Sequence, residues 1–117
     1  MTLRECYDQM NGSYDDAKAR LMMDSMIERF LQKFLEDKTM EDLRRAVSSG
    51  DIPLSFRQAH TLKGVAVNLG FTRLYHAAAA LTEVLRAAKL AEAAPLLAET
   101  ETAYRKIINA ISALTSD

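Results

Sequence analysis

Apolar residues recur along most of the chain at the three- and four-residue spacing of amphipathic α-helices. One such set consists of Ile27, Phe30, Leu31 and Phe34. Glycine and proline are few, and strong helix formers such as alanine, leucine, glutamate, lysine and arginine are abundant. The pattern therefore predicts an all-α protein.

Capping residues and an interruption of the pattern set the expected helix bounds. Ser25 with Glu28 can begin a long helix. A break is expected at residues 37–39, because the next apolar set falls on the opposite side of a continuous helix. Thr39 is then expected to cap the following helix, with Asp42 reaching back from its first turn.

The expected helices are short at the N-terminus and longer afterwards. They cover about residues 3–10, a second short stretch from residue 13, and 25–36, 39–49, 53–69, 72–89 and 92–114. Short connections favour antiparallel neighbours, and no repeat, low-complexity tail or linker divides the chain. We expect an antiparallel four-helix bundle with short additional N-terminal helices, in a single domain spanning residues 1–117.

Composition and charge narrow the function. With 117 residues, of which 49% are hydrophobic, the chain can bury one core but is too short to add a kinase domain. Its net charge of −1 provides no basic field for nucleic acid. No apolar run approaches the roughly 20 residues that span a bilayer, and the N-terminus lacks a signal-peptide pattern. We expect a cytoplasmic monomer that binds neither nucleic acid nor membrane.

Cysteine and histidine content limits metal and redox chemistry. Cys6 is the only cysteine, which excludes an intramolecular disulfide, and its helical spacing from Leu3 and Met10 favours a packing thiol over a reactive one. His60 and His76 are the only histidines. A metal- or haem-binding bundle needs further ligands, and no glycine-rich nucleotide loop is present, so we expect no metal, ATP or other cofactor.

Residues 60–64, with the sequence His-Thr-Leu-Lys-Gly, concentrate candidate chemistry in little more than one helical turn. Lys63 and Gly64 both lie beside His60, since residues three and four apart are neighbours on a helix. The apolar stripe of this helix consists of Ala59, Leu62, Ala66 and Leu69. His60 lies roughly 120–140° from the middle of that stripe and should be exposed. An exposed imidazole is a usable nucleophile, and Lys63 can offset the charge of a phosphoryl group attached to it.

Gly64 requires an explanation of its own, because a glycine within a helix costs about 0.5–1 kcal/mol relative to alanine. One explanation is access, since a missing side chain leaves room beside His60 for a phosphoryl group and a partner. The other is tight helix packing. The position of Gly64 away from the apolar stripe favours access.

Phe56, Arg57 and Val67 fall on the same outward side of the helix as His60. An apolar rim around a reactive residue is a surface that a protein partner covers. The alternative is that the rim lies under the first helix.

Residues 60–64, followed by Asn68-Leu69-Gly70, resemble the signature of histidine-containing phosphotransfer (HPt) domains. The resemblance extends to residues 30–35, 46–51 and 80–86. It implies a helical bundle that accepts a phosphoryl group on His60 and exchanges it with an aspartate of a response-regulator receiver domain in a histidine kinase pathway. It also implies that Lys63 steadies the phosphate, that Gly64 keeps the histidine accessible and that the receiver supplies Mg²⁺.

One position departs from this resemblance. Many HPt domains carry Gln or Glu on the next helix, where the side chain hydrogen-bonds the other imidazole nitrogen, and Thr82 occupies that position here. A threonine hydroxyl is too short to reach the ring except through water, while Glu83 points about 100° away on a helix. Thr82 is the candidate for orienting the ring, and the sequence leaves open whether it does so.

A second hypothesis is a non-catalytic adaptor that docks and sequesters a receiver domain without carrying phosphate. A docking surface alone requires neither His60 nor Lys63. The presence of both residues favours the carrier.

Overall fold

The computed structural model describes residues 1–115; residues 116 and 117, which the predicted domain includes, lie outside the described residues. Residues 1–115 fold into α-helices and one 3-10 turn without a strand, which confirms the all-α prediction. The helices are α1 (Leu3–Gln9), α2 (Tyr14–Leu21), α3 (Asp24–Glu36), α4 (Thr39–Ser48), α5 (Ile52–Asn68), α6 (Thr72–Arg86) and α7 (Ala93–Thr115). The 3-10 turn, Leu90–Glu92, immediately precedes α7.

Helices α4, α5, α6 and α7 form a bundle in which each packs against the next and α7 packs against α4. Three-residue connections after α4 and after α5 make these neighbours antiparallel. Helix α3, which precedes α4, also packs against α7: the rings of Phe34 on α3 and Tyr104 on α7 have centroids 5.7 Å apart. Arg44 of α4 pairs with Glu101 of α7. The two short N-terminal helices are additions to this bundle, as predicted.

The predicted break between α3 and α4 is confirmed, but the caps predicted for the starts of these two helices are wrong. Helix α3 begins at Asp24 with no side-chain cap from Ser25. Helix α4 begins at Thr39, whose amide donates to Oδ1 of Asp37 at 2.8 Å. Asp37 satisfies this amide because a carboxylate readily reaches the amide two residues ahead of it in an Asx turn. Thr39 lies inside the helix, so its hydroxyl is not the cap.

Helix α6 ends at Arg86 rather than near the predicted residue 89. Ala88 adopts a left-handed conformation, with φ of 59°. The Lys89 amide donates to the Val84 carbonyl at 2.9 Å, and the Ala88 amide donates to the Leu85 carbonyl at 3.0 Å. These two bonds form a Schellman motif, which ends the helix without a glycine.

The C-terminal end of α5 is held by the α1–α2 segment. The buried Tyr7 hydroxyl donates to the Leu69 carbonyl at 2.7 Å, and the Ser13 amide donates to the Gly70 carbonyl at 2.8 Å. Gly70 has φ of +72°, and a Cβ added there would lie 2.5 Å from the Ser13 carbonyl oxygen. We call these contacts of Tyr7 and the α1–α2 loop with the α5–α6 turn the N-terminal junction. It fixes one end of α5 firmly in the fold.

Candidate functional site

Helix α5 carries the candidate site and is well defined at its start. Oδ1 of Asp51 accepts a hydrogen bond from the Leu54 amide at 3.1 Å and caps the helix. Pro53 fits in the first turn, where a backbone N–H has no intrahelical acceptor. The predicted inward stripe is confirmed, since its members are at most 5% exposed: Ala59, Leu62, Ala66 and Leu69. His60 is exposed, as the periodicity of this stripe predicts.

The space beside His60 is open at Gly64. Side chains on a helix point back toward its N-terminus, so a side chain at position 64 would lie over the turn that holds His60. Apart from its chain neighbours and the nearby backbone of its own helix, a Cβ added at Gly64 would meet no atom within 4 Å in the described part of the chain. Tight helix packing therefore does not explain this glycine. The opening leaves one side of the imidazole accessible to a large reactant.

Lys63 lies one turn beyond His60 and is half-buried. Its side chain also leans back toward the histidine, because it follows the same helical direction. Within residues 1–115, Lys63 forms no salt bridge with an acidic side chain. Its ammonium group is therefore available to an anion that arrives at His60.

The imidazole has an aromatic neighbour one turn earlier. The rings of Phe56 and His60 have centroids 5.9 Å apart and an interplanar angle of 35°. Arg86 of α6 lies over the Phe56 ring, with Cζ 4.8 Å from its centroid. Nε of Arg86 donates to Glu83 at 3.3 Å. The Arg86 guanidinium and the Phe56 ring thus connect α6 to the imidazole of His60.

Thr82 is buried, and its hydroxyl donates to the Ala78 carbonyl at 2.7 Å within α6. Its proton is thus committed to the helix backbone and is not donated to His60. Arg86 was not predicted from the sequence as a site residue. Helical spacing could have identified Arg86 as a neighbour of the site, because it lies four residues after Thr82 and so occupies the same face of α6.

The predicted rim residues lie on two sides of His60. Arg57 is exposed, while Phe56 and Val67 are half-buried. Phe56 contributes to a shallow groove lined by Ile52, Pro53, Leu85, Arg86 and Ala88. Val67 borders a second cleft, between α2, α5 and α6, which is lined in part by Arg20, Thr72 and His76. Phe56 and Val67 therefore border surface depressions, with α6 beside one and α2 and α6 beside the other.

The remaining candidate groups have structural surroundings. Cys6 is buried in the core, which confirms its packing role, and burial raises the pKa of its thiol to about 11. His76 is exposed beside the Tyr75 ring. No three His, Cys, Asp or Glu side chains in residues 1–115 are grouped to hold a metal ion. No helix in that range is both long and apolar enough to cross a membrane.

The fold and the site together define a class of protein, namely a helical bundle that displays one histidine on an open helix face with a lysine beside it. The sequence matches the family model of the Hpt domain over residues 25–115. The chain belongs to this family, whose members carry out histidine phosphotransfer in phosphorelays and work with two-component partners such as receiver domains. Helix α1 and helix α2 precede the matched segment. Comparisons with curated proteins and with solved structures found no match.

Proposed function

We propose that this protein is a phosphorelay carrier in which His60 accepts a phosphoryl group from an aspartyl phosphate of a receiver domain and returns it to such an aspartate. The observation that carries this proposal is the exposed imidazole beside Gly64, where an added Cβ would have no neighbouring atom within 4 Å apart from the local helix backbone. The open space allows the active site of a second protein to approach. A histidine that served only the fold would not need this space.

The transfer itself needs little from this chain. A ring nitrogen of His60 directs its lone pair at phosphorus, and the N–P bond forms as the P–O bond of the aspartyl phosphate breaks. The electron pair of the broken bond leaves on the aspartate carboxylate. Positioning and charge stabilisation dominate phosphoryl transfer, and Lys63 supplies a cation on the carrier side. Mg²⁺ bound by the receiver supplies the remaining positive charge.

The receiver covers the face of α5 that surrounds His60. Arg57 offers an exposed cation there, and the half-buried Phe56 and Val67 offer apolar surface on either side. Apolar contacts with charged residues at the rim are typical of transient protein interfaces. Because these residues flank the histidine, docking and chemistry use the same face.

The experiment mixes the purified protein with Mg²⁺ and a panel of phosphorylated receiver domains. Mass spectrometry then locates any acid-labile, base-stable phosphate. We expect label on His60 and none on His60→Gln, which should keep its helical content because exposed substitutions usually stay within about 0.5 kcal/mol of neutral. His76→Gln is the matched control, since it removes the other exposed histidine and should be labelled like the unaltered protein.

Two results would contradict the proposal. Label that persists in His60→Gln would place the acceptor elsewhere. Absence of label with every receiver, together with measurable binding to one of them that His60→Gln retains, would identify the protein as an adaptor that sequesters a receiver.

A further inference from the structure

No hydrogen bond from the described residues sets the orientation of the His60 ring. Within residues 1–115 no side chain hydrogen-bonds the imidazole, and the Thr82 hydroxyl donates to the Ala78 carbonyl at 2.7 Å. An exposed imidazole with no partner exchanges among rotamers. Only some rotamers direct a ring nitrogen at an incoming phosphorus atom, so free rotation lowers the rate of attack.

Phe56 is the side chain placed to restrict this rotation. It precedes His60 by four residues, so the two share one face of α5, and the imidazole leans back over the turn that Phe56 occupies. Their centroid separation of 5.9 Å lies within the range of favourable aromatic pairs, and the two rings are tilted by 35° to each other. Phe56 itself is half-buried, which limits its own motion.

Arg86 adds a second restraint from the neighbouring helix. Its Cζ lies 4.8 Å from the centroid of the Phe56 ring, well inside the distance at which a cation is attracted to an aromatic face. The contact joins α6 to α5 at the level of the histidine. The salt bridge from Arg86 to Glu83 contributes little, because both side chains are more than half exposed.

We propose that Phe56, held in place by Arg86, is the positioning residue for the His60 imidazole. The aromatic contact from within α5 and the cation from α6 together replace the hydrogen bond that Thr82 does not make. Phe56 acts on the ring before any partner arrives. The effect on transfer rate rests on the proposed function, whereas the effect on ring orientation does not.

The first test measures the χ1 rotamer populations of His60 by NMR coupling constants in the full, unphosphorylated chain. Phe56→Leu should make the populations more even, and Phe56→Tyr should preserve them. Arg86→Met should act in the same direction as Phe56→Leu, by a smaller amount. Arg45→Met is the matched control and should change nothing, since Arg45 pairs with an exposed glutamate of its own helix, as Arg86 does, but lies on α4.

The second test measures phosphoryl transfer from a receiver that labels the unaltered protein. Loss of the aromatic contact should slow transfer to His60 by roughly two- to tenfold in Phe56→Leu, with Phe56→Tyr close to the unaltered rate. Because Phe56 also lies in the proposed receiver-docking surface, the rate is measured at saturating receiver, where weaker binding does not lower it. A merely structural role of Phe56 would change the thermal stability without changing the rotamer populations.

Unchanged rotamer populations in both Phe56→Leu and Arg86→Met would overturn the proposal, whatever the rates. Weaker receiver binding with unchanged populations would also overturn it and would leave docking as the only role of Phe56. If the populations shift as expected but no receiver labels the unaltered protein, ring positioning stands and the proposed function fails. The two proposals therefore fail separately.

Discussion

Gly64 and Gly70 lie six residues apart along the chain, and their surroundings are opposite. Apart from the nearby backbone of α5, a Cβ at Gly64 would meet no described atom within 4 Å, and this glycine has an ordinary helical conformation. A Cβ at Gly70 would lie 2.5 Å from the Ser13 carbonyl oxygen, and the backbone there has φ of +72°. The fold explains Gly70 completely and does not explain Gly64. Of the two, Gly64 is therefore the one to which function must be assigned.

The same difference extends to the regions around the two glycines. At the N-terminal junction, Tyr7 and Leu69 are buried and joined by a hydrogen bond, and Gly12 packs against the Gly70 carbonyl. Around Gly64, His60 is exposed and Lys63 has no salt-bridge partner among the described residues. One end of α5 is fixed by the fold, while its outward face is left open. A rigid helix with an open face holds a reactive side chain in place without enclosing it.

Gly70→Ala should produce the largest effect. The substituted residue must keep a left-handed conformation and also displace the Ser13 backbone, so we expect unfolding free energy to fall by roughly 2–5 kcal/mol. Urea denaturation followed by circular dichroism measures the loss. A variant as stable as the unaltered protein would show that the N-terminal junction is not formed in solution.

The reactivity of Cys6, which precedes Tyr7 on α1, tests the N-terminal junction without a substitution. Burial raises the pKa of this thiol to about 11, so the reactive thiolate at pH 8 should be about a hundredfold scarcer than for an ordinary cysteine. We expect labelling by a disulfide reagent to be slower by at least this factor than in urea-unfolded protein. The rate should rise as the pH approaches the raised pKa. Labelling as fast as in the unfolded chain would show that α1 detaches readily.

Periodicity predicted the features of α5 that depend on burial. The inward stripe and the exposure of His60 follow from helical geometry, since a helix with one apolar stripe must turn it toward the core. The break before α4 followed from the same reasoning, because Phe34 and Met40 could not both face the core on one straight helix. The cap at Thr39 was wrong because Asp37 accepts the hydrogen bond from the Thr39 amide and the helix begins at Thr39 itself. The cap at Ser25 was wrong because α3 already begins at Asp24, with no side-chain cap.

The rest of the site depends on contacts between helices, which spacing along one helix does not determine. The position of Arg86 over Phe56 depends on how α6 is rotated against α5. The burial of Thr82 depends on the same rotation. Likewise, the two explanations of Gly64 differ only in what lies opposite it. The sequence of α5 is compatible with both explanations, so only the packing of the folded helices distinguishes access from tight packing.

Gly64→Gln should separate access from stability. The glutamine side chain would lean back over His60, so phosphoryl transfer from a receiver should fall by at least about tenfold, while helix propensity keeps the protein folded. Thr61→Gln is the matched control, because it adds the same side chain at an exposed position of α5 that does not lean over His60. Normal transfer in Gly64→Gln would remove access as the reason for this glycine. Unfolding of Gly64→Gln would instead support tight helix packing as the reason for this glycine.

Gly64→Ala gives the smallest effect and the sharpest contrast with Gly70→Ala. A methyl group in open space avoids any clash and removes the entropic penalty of a helical glycine, so the free energy of unfolding should rise by about 0.5–1 kcal/mol. Urea denaturation of Gly64→Ala and Gly70→Ala in parallel measures the expected rise and the expected fall in unfolding free energy in one experiment. A loss of stability in Gly64→Ala would mean that a packed element occupies the open space. A gain would show that alanine at position 64 gives a more stable protein than the glycine does. This is expected where a residue is retained for the approach of a partner and not for stability.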